Sequence, residues 1–160
     1  MQFRELKRKN KQLSGDECIQ ILQNEKRGVL AVNGDNGFPY AMPMNHYYDP
    51  DDGCIYFHCG KQNGHRSDAL AHSDKVSFCV TVQGEQSPDG WAFWMRSVIV
   101  FGQMEIIDDP AEITRIAAAL SRKFTQDEVY IENEIARYAK ATLLLKLVPA
   151  HICGKLVLEA

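Results

Sequence analysis

Six stretches of this chain carry the two-residue apolar period of β-strands, and each is cut off by a turn signal: residues 29–33, 38–48, 54–59, 75–82, 93–107 and 141–148. Gly34-Asp35-Asn36-Gly37 and Asp49-Pro50-Asp51-Asp52-Gly53 are the clearest of these turns. Strands joined this tightly pair antiparallel. With so many in one small domain, closure into a barrel is the economical way to remove exposed edges. The sequence predicts a mainly β fold, a six-stranded antiparallel barrel with flanking helices. The long run 93–107 is expected to bend at Gly102.

The helices sit at the margins. Ser14 and Glu17 form a capping box, Leu13 can staple against Cys18, and Cys18, Ile21 and Leu22 make the apolar stripe. Lys26 and Arg27 then suit a helix C-terminus that Gly28 stops. A short helix covers residues 65–72. Asp109-Pro110 opens another, with Ile113, Ile116, Ala117, Leu120 and Phe124 along one side. Thr125 to Glu128 reads as a second capping box before Ile131, Ile135 and Tyr138. Residues 1–12 read as a flexible basic arm and 13–160 as one domain, an ordinary size for 160 residues.

No stretch approaches the ~20 apolar residues of a spanning helix, and the first residues have no apolar core that would mark a leader. Five cysteines without C-x-x-C spacing are expected to be reduced thiols, in keeping with a cytoplasmic protein. A net charge of -3 argues against nucleic acid as a partner, although Arg4, Lys7, Arg8, Lys9 and Lys11 are locally basic.

Several chemistries fail on spacing. There is no G-x-G-x-x-G, no Walker motif and no G-x-S-x-G. His58, Cys59, His65 and His72 match no zinc pattern, so no metal is expected. What survives is the loop Gly60 to Ser67, where Lys61, His65 and Arg66 gather just as a helix begins. Amides at a helix N-terminus, with a guanidinium and an ammonium, suit a phosphate dianion. Pro39 and Pro43 within a strand-like run point to an edge or an interruption in pairing. Trp91, Phe93 and Trp94 suit core or a subunit interface.

In order and spacing, Gly28-Val29-Leu30-Ala31-Val32, Gly37-Phe38-Pro39-Tyr40-Ala41-Met42-Pro43-Met44-Asn45, Ile55-Tyr56-Phe57-His58-Cys59 through Gly64-His65-Arg66, and Arg96-Ser97-Val98-Ile99-Val100-Phe101-Gly102 resemble the pyridoxamine 5'-phosphate oxidase-like flavoproteins, in particular the nitroimidazole-resistance branch. His151 to Lys155 resembles that family's closing segment. The resemblance implies a split barrel of the FMN-binding type, a homodimer with the flavin (FMN, or FAD) at the interface, and a flavin-dependent oxidoreductase acting on a small aromatic or nitro-aromatic substrate. Carried over by position, Met42, Pro43, Met44 and Asn45 line the ring, Phe57 and His58 follow the ribityl chain, and Lys61, His65 and Arg66 hold the phosphate. Ser97 stands where the wider family has a polar residue against the ring.

Two departures bear on activity. Arg66 stands where the family usually has lysine, and the Arg-rich substrate-binding tail of the true oxidases is missing from Lys155 to Ala160, against vitamin B6 synthesis. No side chain reads as a catalytic acid or base, though His46 and Arg96 are polar groups near the expected site. The alternatives to an oxidoreductase are a non-catalytic flavin-binding stress module and a haem-handling split-barrel protein.

Overall fold

The computed structural model describes residues 2–62, 64–86, 88 and 90–158. Asn63 of the electropositive loop, Ser87 and Asp89 before Trp91, Met1 of the arm and the last two residues lie outside the described set. Among the described residues four α-helices, α1 (Gly15–Asn24), α2 (His65–His72), α3 (Pro110–Arg122) and α4 (Glu128–Tyr138), flank one antiparallel sheet. Its strands are β1 (Arg27–Asn33), β2 (Pro39–Asn45), β3 (Tyr47–Tyr48), β4 (Ile55–Gly60), β5 (Lys75–Thr81), β6 (Glu85–Gln86), β7 (Phe93–Ile107) and β8 (Thr142–Leu158).

The sheet runs β2-β1-β5-β7-β8-β4-β3, with β6 paired to β7. β2 and β3 are the two ends of that path, yet only His46 separates them along the chain. The sheet therefore curls almost through a circle, the barrel that the strand pattern predicted in the split form that the resemblance implied. This corner also corrects the expected 38–48 strand, which is two strands on opposite edges.

The strand count differs from the expected six. β3 and β6 are two-residue strands too short to show a period, and the sixth strand and the closing segment are one strand, β8, running through Pro149. Proline is tolerated there because Pro149 stands opposite Gly102 at a register shift between Phe101 and Gly102. A Cβ at Gly102 would run into the Val148 carbonyl, so the bend needs glycine. Gly28 has a similar role. It does not stop α1, which ends at Asn24; it lies inside β1, where a Cβ would meet the Phe78 ring. The second capping box is also corrected: Asp127, not Thr125, caps α4 by accepting from the Tyr130 amide.

The core lies inside the curl. Leu30, Val32, Phe78, Val80, Val98, Val100, Leu145 and Leu147 meet Cys18, Ile21 and Leu22 of α1. The capping box of α1 forms as expected, with Ser14 Oγ accepting from the Glu17 amide and the Ser14 amide donating back to Glu17. A second core packs α3 on the far side of β4 and β8, through Tyr56, Ile113, Ile116 and Leu144. Arg115 of α3 donates to the buried carboxylate of Asp49 at 2.7 Å and ties that helix to the β3–β4 turn. Among the described residues no helix is long and apolar enough to cross a membrane.

Candidate functional site

β2 is an edge strand, so one row of its backbone groups has no strand partner. That is where prolines can sit without breaking a ladder, and Pro39 and Pro43 do so. On this edge Pro43, Met44 and Asn45 line an open crevice of about 300 Å³ with Arg27 of β1 and His58 of β4. Arg27 Nε donates to Asn45 Oδ1 at 2.8 Å, which fixes the amide and sets a cation in the crevice wall. Met44 also packs against the core, and Arg66 Nη1 lies 3.9 Å from its sulfur.

Arg66 belongs to the first turn of α2. Where α1, α3 and α4 begin with Ser14, Asp109 and Asp127 as side-chain caps, α2 begins at Gly64 and has none. Its first amides are thus left to water or to an anion, and a guanidinium stands among them. The Arg66 charge reaches two neighbours on β4. Burial first, and Arg66 second, hold the His58 imidazole below the usual histidine range, so it is neutral near pH 7. Burial pushes the Cys59 thiol up, with Arg66 opposing it. His58 is open to solvent by area while protein crowds it on its remaining sides, so desolvation acts on an accessible ring.

The other expected site residues are more dispersed. His65 stacks on Tyr40, with ring centroids 4.1 Å apart, and its Nε2 lies 3.5 Å from Asp35; it docks α2 on the β1–β2 hairpin. Lys61 is exposed, and its amide donates to the Ala141 carbonyl at 3.0 Å. Met42 packs on the core, and Phe57 is fully buried edge-to-face against Phe78. Ser97 of β7 pairs with Thr81 of β5, and β5 pairs with β1, so Ser97 stands two strands from the strand of Arg27, about 10 Å by strand spacing.

Pro43, Met44, Asn45, His58 and Arg66 therefore come together. His65 and Lys61 stand at the start of α2 and in the loop before it, and Met42 and Phe57 turn their side chains into the core. His46, the corner residue, is 0% exposed, and Arg96 lines a separate cleft with Trp94 and Leu156, so neither faces the crevice. Arg27 is the residue the sequence analysis missed. The register Arg27↔Asn45 follows from the hairpin turn at Asp35-Asn36-Gly37, and that pairing was the available signal.

The sequence profile of pyridoxamine 5'-phosphate oxidase matches residues 14–156, which span the barrel and every crevice residue. The chain belongs to the pyridoxamine 5'-phosphate oxidase family. Solved structures of similar fold include a candidate 5-nitroimidazole antibiotic resistance protein of Bacteroides thetaiotaomicron, 19% identical, with TM-score 0.74 over 92% of this chain and 87% of that one. An FAD-binding protein of Mesorhizobium loti is 21% identical, with TM-score 0.60 over 93% and 96%. The FAD and heme binding protein of Mycobacterium smegmatis is 22% identical, with TM-score 0.72 over 91% and 73%. No curated protein sequence matches the chain. In this member of the family the crevice, the uncapped α2 and the register shift at Gly102 are all present in the single chain.

Proposed function

We propose that this chain binds a flavin, FMN or FAD, as a flavin-dependent oxidoreductase of the nitroreductase-like kind, passing electrons to a small aromatic or nitro-aromatic acceptor. One observation carries the reading: Arg66 stands at the only α-helix start that lacks a side-chain cap among the described residues, and its guanidinium reaches the sulfur of Met44, which lines the crevice with Pro43, Asn45 and His58. A flavin phosphate needs fixed cations and free amides, and its ring needs a flat, mostly backbone wall. The residues present fit both demands.

In this reading Lys61, His65 and Arg66 hold the phosphate, and the edge backbone of Met42, Pro43, Met44 and Asn45 meets the ring. The backbone of Phe57 and the neutral imidazole of His58 follow the ribityl chain. His58 then offers hydrogen bonding without adding a positive charge beside Arg66. When bound, the flavin supplies the hydride or electron transfer; the protein supplies binding, orientation and electrostatic tuning.

A crevice of about 300 Å³ is at the lower end for ligand sites, and it is open, so one subunit provides one wall. The outer face of the sheet supports a homodimer with the flavin at its interface. Val29 and Ile99 are 42% and 36% exposed there, beside Ala31, Cys79 and Phe101. Ser97 lies on this face and would join the site from across the interface. A cytoplasmic setting accords with the five free thiols.

The test is the visible absorbance of the purified protein, with mass identification of what heat releases, followed by titration with FMN and FAD. A flavin spectrum near one per subunit is expected. A colourless protein that takes up neither flavin overturns the reading, and a haem spectrum replaces it with the haem-handling one. Flavin that is held but never reoxidised by any nitro compound leaves a binding module in place of an oxidoreductase.

A further inference from the structure

We propose that a cavity between α3, α4 and the sheet is a second binding site, for a single-ring aromatic molecule carrying a protonated amine. The cavity measures about 150 Å³. An engineered protein cavity of about that size, lined by aliphatic side chains, stays dry and binds benzene. This cavity matches it in size but is open on one side, and its walls are aliphatic only in part. Ile113, Ala117 and Leu120 present one face of α3, spaced four and three residues apart, and Ile135 faces them from α4.

The lining also holds Ser121, Tyr138 and Thr142, but two other polar residues set which ligand charge the site favours. Glu134 of α4 is half-buried in the lining, and among the described residues it forms no ion pair, although Arg115 and Arg122 on α3 are both paired to other carboxylates. A carboxylate beside apolar walls loses hydration, and an ammonium on the ligand restores a partner to it. His58 is the second group. Its imidazole lines this cavity and the crevice as well, so it is the partition between them. A neutral ring there does not repel a cation, and it offers a flat surface to an aromatic one. An unpaired acid in the lining, a partly aliphatic wall and a neutral heteroaromatic partition select an aromatic amine over an aromatic acid.

The pocket lies within one subunit and does not depend on flavin. Benzylamine titrated into the purified full chain, followed by calorimetry and by the ring proton signals of His58, is the test, with benzoate as the charge-reversed probe and toluene as the uncharged one. Benzylamine is expected to shift the His58 signals, leave those of His46 in place, and bind at least about tenfold more tightly than benzoate. Glu134→Gln should weaken benzylamine about tenfold and leave toluene unchanged; Ala117→Phe should fill the cavity and remove both. If Ala117→Phe fails to fold by circular dichroism, the comparison of benzylamine with toluene in Glu134→Gln decides. Absence of a His58 shift at saturating benzylamine, or equal binding of benzoate, overturns the proposal. Flavin uptake, read separately in the visible, reports on the crevice alone.

Discussion

Two histidines in this barrel each stand beside a cation, and they have opposite lives. His46 sits at the corner where β2 turns into β3. Its Nε2 is 2.8 Å from the Leu22 carbonyl, its ring packs edge-on against Phe78, and its Nδ1 has no hydrogen-bond partner among the described residues. Burial, with Lys123 adding to it, lowers its pKa to about 4. Lys123 itself donates to the carbonyls of Glu25 and His46 and closes the corner from outside. His58 has the same two influences, burial and a cation, but lines two cavities and, among the described residues, its ring holds no hydrogen bond to the backbone of a neighbouring element. The pairing of a histidine with a cation is thus no sign of a site by itself. What separates them is whether the polar groups are consumed by the fold or left to a ligand.

The sharpest way to break this contrast is to truncate both rings. His46→Ala leaves a void and an unpaired Leu22 carbonyl and should cost about 3–4 kcal/mol in urea unfolding, while His58→Ala should stay within about 0.5 kcal/mol. Similar losses for the two would remove the distinction.

Acid provides the next test. Folded His46 stays neutral down to about pH 4, whereas the unfolded chain takes up that proton near 6.5. Between those values the unfolded state holds more protons, so stability rises with pH across the window. The contribution is complete above pH 6.5 and is lost as pH falls toward 4, by about 3 kcal/mol. In a His46→Leu variant this slope should flatten; in His58→Leu it should be retained.

On the open side, Arg66→Ala should weaken FMN by about 10–100-fold, or roughly 1.5–3 kcal/mol, without moving the urea midpoint. Unchanged affinity would take the phosphate out of the crevice. The smallest effect belongs to Lys123, whose pKa burial lowers to about 8 from 10.5. The unfolded chain holds more protons between those values, so stability should rise with pH there by about 1–2 kcal/mol after allowance for solvent screening. Lys123→Met should abolish that alkaline rise.

Most of the barrel is visible in the amino-acid order because alternation, hairpin turns and helix caps are local. Ser14, Asp109 and helix 65–72 stand where their residue types placed them. The failures are non-local. Nothing near His46 says that one residue bridges the two ends of the sheet, and Pro149 ends a strand on local rules unless its partner across the ladder is known to be Gly102. The place of Arg66 in the first turn of an uncapped helix was legible for the same local reason, since a basic residue one step past a glycine helix start is a short-range pattern. Arg27 was not, because its role depends on reaching Asn45 across the hairpin. Nor was the cavity under α3 and α4, which exists only once two helices fold back over His58.

The bent ribbon of β7 and β8 pairs from Trp94↔Leu158 to Ile107↔Leu144 without leaving the sheet. Its Val98–Val100 portion belongs to the core inside the curl, and Leu144 near its other end belongs to the core beneath α3. Two hydrophobic clusters that could have melted one after the other are therefore stitched to the same pair of strands. Amide protons on either side of the Gly102 bulge should exchange with solvent through one shared opening event, and exchange of one cluster's amides ahead of the other's would show that the ribbon does not couple them.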